Sequence, residues 1–140
     1  MNLSKTFLFS LVLILNVFYC TSSVFDEAKL RQKAIKMIFD CKSQSKATEE
    51  DIKMIRNKKL PTTREGLCLI ECLLDGLNVM ENGKLNKQGA INVFTSTIKG
   101  DSNKIKIITR IVNTCEKKVG NDRCYNAGKI VNCLMSREKA

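Results

Sequence analysis

Cysteine is the residue type through which this sequence could do chemistry. Seven occur in 140 residues, at positions 20, 41, 68, 72, 115, 124 and 133, and histidine is absent. Such thiols can act as nucleophiles, hold a metal, or oxidise to disulfides. Without histidine, the Cys/His and Ser/His/Asp arrangements and most catalytic metal sites are excluded. A zinc site built from four cysteines favours CxxC knuckles, and the chain has none. Oxidation is the use that remains, so no metal, no cofactor and no catalysis are expected.

The compartment follows from the first residues. Residues 1–23 read as a secretory signal, with Lys5 as the charged start, an apolar run from Phe7 to Phe18, and small residues at Thr21, Ser22 and Ser23. That run is too short to span a bilayer, so an exported chain without stable membrane insertion is expected. Cleavage after Ser23 removes Cys20 and leaves an even six cysteines in an oxidising compartment, a framework for three disulfides. It also removes Lys5, which lowers the formal charge from +10 to +9.

The elements that must hold those cysteines are helices. Apolar residues recur at helical spacing throughout, and alternation of period two never persists, so the fold class is all-α, a six-helix bundle in a single domain over residues 24–140. The first helix is expected from about Phe25 to Ser43, with Leu30, Ala34, Met37, Ile38 and Cys41 as its apolar stripe. Thr48 and Asp51 open a second helix that runs to about Asn57. Pro61 ends it, Thr62 or Thr63 can cap the next, and a third helix runs from Leu67 to Val79. Asn82 and Gly83 form a turn, and Asn86 caps a fourth helix that stops near Gly100. A fifth spans Ser102 to Lys118, and a sixth follows Asp122 and ends near Met135.

Spacing limits the disulfides without choosing them. Cys68 and Cys72 leave one face of the third helix in parallel and cannot bridge each other without distortion. Cys124 and Cys133 lie about 13 Å apart along the sixth helix, beyond disulfide reach. Cys115 could still close onto either Cys124 or Cys133.

The frame of Cys41, 26 residues, Cys68, three residues, Cys72, 42 residues, Cys115, eight residues, Cys124, eight residues, Cys133 resembles the six-cysteine insect odorant-binding proteins of the pheromone-binding and general-odorant-binding family. The run from Cys68 to Leu85 and the stretch Thr48 to Ile52 are similar to that family locally. The resemblance implies pairs Cys41 with Cys72, Cys68 with Cys124, and Cys115 with Cys133. It implies a bundle around an apolar cavity, a small hydrophobic molecule as partner, a membrane chemoreceptor as a further candidate partner, and a monomer or weak homodimer. Two departures bear on release. The chain ends seven residues after Cys133, so Ser136 to Ala140 is too short a tail to fill a pocket, and no histidine can act as a switch. Binding should therefore vary little between pH 5 and 7.

The inward apolar positions Leu73, Leu77, Val93, Phe94, Ile108, Ile111, Val112 and Leu134 satisfy a plain core and a cavity wall equally well, and they are the candidate ligand contacts. Tyr125 joins them as a candidate hydroxyl for a ligand's polar group. Aromatic residues after the signal are limited to Phe25, Phe39, Phe94 and Tyr125, so an aliphatic ligand is favoured. The basic residues are dispersed, which argues against nucleic acid. The competing function is a secreted basic helical protein that acts on anionic membranes or docks a receptor. Saposin-like proteins have that size, but they begin with CxxC. A secreted phospholipase would need a histidine and a glycine-rich calcium loop, and both are missing.

Overall fold

The computed structural model describes residues 13, 28–96, 98, 100–117 and 120–138. The expected signal therefore lies, apart from Leu13, outside the described residues. The chain divides into two compact units, Met1–Lys36 and Met37–Ala140. In the first unit, residues 28–36 are helical and exposed.

Helix α1 covers residues 28–45 and is followed by α2 (Glu49–Arg56), α3 (Arg64–Gly76), β1 (Met80–Glu81), β2 (Lys84–Leu85), α4 (Lys87–Ser96), α5 (Ser102–Cys115) and α6 (Arg123–Glu138). The all-α class holds, with one small addition. Asn82 and Gly83 take positive φ values of 53° and 76°, the geometry of a type I′ turn, and this pairs Met80 with Leu85 and Glu81 with Lys84. Met80 and Leu85 are buried while Glu81 and Lys84 face water, so even this short ladder has an inner and an outer side.

Helix starts follow local chemistry. Thr48 and Asp51 form a reciprocal capping box at α2. Thr63 caps α3 through Gly66 N–H at 3.0 Å, which starts the helix three residues before the expected Leu67. Asp51 is 2% exposed because it serves both caps: its carboxylate accepts from Thr48 N–H at 2.8 Å and from the Thr63 hydroxyl at 2.6 Å. Burial raises this carboxyl, but the hydrogen bonds from Thr63 and Thr48 outweigh that effect and hold it below its ordinary value. Asn86 accepts from Gly89 N–H at 3.1 Å at the start of α4. At its other end, α6 runs past the expected Met135 to Glu138, so Ser136 to Glu138 belong to the helix.

Apolar burial forms two clusters. The smaller joins Cys41, Ala47 and Leu69, with Met37, Ile52 and Leu73 against it. The larger gathers Ile70, Val79, Met80, Leu85, Ala90, Val112, Ala127 and Ile130. The expected α1 stripe is only partly inward. Met37 and Cys41 pack, while Ile38, about 100° round the helix from Met37, is 42% exposed and Leu30 is 70% exposed.

Candidate functional site

Four helices meet around a cavity of about 470 Å³. α3 contributes Leu74 and, at its C-cap, Leu77; Val79 follows. α4 contributes Val93 and Phe94, with Ile98 beyond its end; α5 contributes Ile108, Ile111 and Val112; α6 contributes Val131, Leu134 and Met135. Val79 and Val112 are 2% and 0% exposed and make the floor, while Leu77, at 46%, stands at the mouth. The volume lies in the range of small-molecule sites.

Disulfides and polar contacts fix three of these four walls. Cys68–Cys124 ties α3 to α6, Cys115–Cys133 ties α5 to α6, and Cys41–Cys72 ties α1 to α3. The α3–α6 seam is close: a side chain at Gly128 would meet Leu67 Cδ2 at 2.8 Å. Along its edge, Arg123 donates to Glu71 at 2.7 Å and Arg64 to Asp122 at 2.7 Å. Asp122 also accepts from Cys124 N–H and Tyr125 N–H at the start of α6. The Tyr125 N–H bond, aided by Arg64, holds its carboxyl below the usual value despite partial desolvation. Buried Asn126 joins the hairpin turn to the loop before α6, donating to the carbonyls of Gly83 and Gly120 and accepting from Gly120 N–H. α4 carries no cysteine.

The cavity gathers most of the expected contacts, namely Leu77, Val93, Phe94, Ile108, Ile111, Val112 and Leu134. Leu73 and Tyr125 stand elsewhere. Leu73 packs on the smaller cluster with Leu69, because steps of four residues drift by about 40° each and the series Leu69, Leu73, Leu77 turns from one cluster toward the other. The cavity face of α3 follows Ile70, Leu74 and Leu77. Tyr125 is 53% exposed on the side of α6 away from Ala127, Ile130 and Leu134. Leu74, Val131 and Met135 also line the cavity, at helical spacing of four from Ile70, three from Leu134 and four from Val131 respectively. Val79 and Ile98 fall within the expected third and fourth helices, but α3 ends at Gly76 and α4 at Ser96, so both reach the cavity from beyond a helix end.

The described lining side chains of the cavity are all apolar, so what they offer a ligand is burial. Among the described residues no group of three His, Cys, Asp or Glu could hold a metal ion, and no helix is long and apolar enough to cross a membrane. A second hollow, of about 490 Å³, lies on the outer face of α5 and just beyond it. Lys106, Thr109, Arg110, Asn113, Thr114 and Lys117 line it.

The model of the PBP/GOBP family matches residues 24–137. General odorant-binding protein 19d of Drosophila melanogaster is 32% identical over 111 residues, which cover 78% of this chain and 74% of that protein. In structure, odorant-binding protein dmelOBP28a from Drosophila melanogaster is similar with a TM-score of 0.68 at 25% identity, over 79% of this chain and 93% of that one. The fold also resembles the fatty acid binding protein OBP56a from the oral disk of the blowfly Phormia regina, with a TM-score of 0.66, 19% identity and the same coverage of 79% and 93%. With the helices, the cavity and these likenesses in agreement, the chain belongs to the PBP/GOBP family of odorant-binding proteins.

Proposed function

We propose that this protein is a secreted carrier that takes one small hydrophobic molecule, without covalent chemistry, into the cavity enclosed by α3, α4, α5 and α6. The observation that carries the reading is a wall of apolar side chains from four helices around about 470 Å³, with its floor out of water. Such a wall favours apolar surface at roughly 25 cal/mol per Å² removed from water. The lining is aliphatic apart from Phe94, so flexible chains suit it better than aromatic ligands. Export supports the same role: the family match starts at Val24, where cleavage after Ser23 would begin the mature chain. Delivery to a membrane chemoreceptor, and hence a part in chemosensation, completes the reading.

The test is a fluorescence titration of the oxidised protein, recovered from a secreting host, with a neutral apolar probe. Saturable one-to-one binding near micromolar, about −8 kcal/mol, with displacement by aliphatic alcohols and esters, is the expected result. Absence of a saturable site would end the carrier reading. Mass spectrometry of the same sample should find Val24 or a residue close to it at the N-terminus.

One observation favours a second reading. The cationic outer hollow of α5 suits an acidic partner such as an anionic membrane. Cosedimentation with anionic but not neutral vesicles, by protein that fails to bind the probe, would support it over the carrier.

A further inference from the structure

We infer that the cavity recognises only the hydrocarbon part of its ligand, and that any polar end stays in water at the mouth beside Leu77. The inference rests on the carrier reading and narrows it from a hydrophobic molecule to a chain whose buried length bears no hydrogen-bonding group. Among the described residues, no lining side chain carries a hydroxyl, amide or charge. Among the described residues, three hydroxyls close in sequence are already engaged. Thr95 on α4 donates to Ile91 C=O at 2.7 Å, Thr109 on α5 to Ile105 C=O at 2.8 Å, and Ser136 on α6 to Cys133 C=O at 3.0 Å.

The backbone offers little more. Peptide groups in helix interiors are paired within their helices, and of the three lining residues outside helices Leu77 donates to Leu73 C=O at 3.1 Å, while Val79 and Ile98 are paired on both sides. Val79 donates to Leu74 C=O and accepts from Asn86 N–H, both at 2.8 Å. Ile98 donates to Thr95 C=O and accepts from Asp101 N–H, both at 3.3 Å. Every buried side-chain nitrogen and oxygen among the described residues also has a partner, so none waits in the wall for a ligand. A hydroxyl pushed onto the floor would lose water and gain nothing, which weakens binding by roughly tenfold to a hundredfold.

The experiment displaces N-phenyl-1-naphthylamine from the oxidised protein with matched alkanes, primary alcohols and α,ω-diols, at each length from octyl to dodecyl. Alkane and alcohol of one length should agree within about threefold, because both bury the same chain. The diol, which must bury one of its ends, should be weaker by about tenfold or more at the shorter lengths. Tyr125→Phe should leave the whole series unchanged. A diol that matches its alcohol, an alcohol about tenfold tighter than its alkane, or a loss of alcohols alone in Tyr125→Phe would each overturn the inference while leaving the carrier intact. A probe that finds no saturable site would remove both.

Discussion

The hollows on the two sides of α5 have nearly equal volumes, about 490 Å³ outside and about 470 Å³ inside, and opposite chemistry. Arg110 lines one and Ile111 the other, neighbours in sequence separated by the 100° turn of a helix. On the outer side, Lys106, Arg110 and Lys117 are exposed and well hydrated, and an apolar molecule there would displace that water for little return. On the inner side the lining is apolar and its floor residues are buried, and each methylene that enters removes more apolar surface from water. Volume alone would put the outer hollow first. The lining decides otherwise.

The comparison can be broken most forcefully through the staple that holds the inner face. Replacing both Cys115 and Cys133 with Ala opens a link over a sequence separation of 18 and should lower stability by about 3 kcal/mol in chemical denaturation. Probe affinity should fall with it as α5 shifts against α6. Unchanged stability would mean that packing alone sets the inner wall.

A sharper contrast comes from adjacent single substitutions. Ile111→Ala should cost about 1 to 2 kcal/mol, less than a fully buried site because Ile111 is only partly buried, and should shift preference toward longer chains as the cavity grows. Arg110→Ala should stay within about 0.5 kcal/mol and leave probe binding alone. Equal effects from the two would erase the distinction between the faces.

The smallest expected effect is that of pH. The described lining has no titratable side chain and the sequence no histidine, so affinity should change by less than about twofold between pH 5 and 7. Stability behaves differently at lower pH. Asp51 and Asp122 are held below their ordinary carboxylate values in the fold, so their contribution is present above about pH 4 and is lost as pH falls through the unfolded value and then the lower folded one. A midpoint of probe release above pH 5 would contradict this assignment.

Much of the fold was legible because its signals are local. Thr48 with Asp51, Asn82 with Gly83, and Asn86 act within a few residues of themselves, and each sits at the helix start or turn expected of it. The second role of Asp51 was invisible, since the Thr63 hydroxyl it binds is twelve positions away across the α2–α3 loop. The cavity was legible in part. Ile108, Ile111 and Val112 lie on the most regular apolar stripe in the chain, but Leu73 shares its spacing with Leu77 and still faces a different cluster. Tyr125 carried a polar tip that suited a ligand, and nothing in the sequence said that it points to water.

By itself, then, the sequence determined the helical class, the caps and turns, and which cysteines cannot bond each other, because all of these depend on geometry within one element. Only the tertiary structure decided that Cys115 meets Cys133 rather than Cys124, and that Leu74 rather than Leu73 faces the cavity. Those outcomes depend on the rotation and approach of α3, α5 and α6 toward one another. A helix with apolar residues on more than one flank leaves that rotation free until its neighbours are packed.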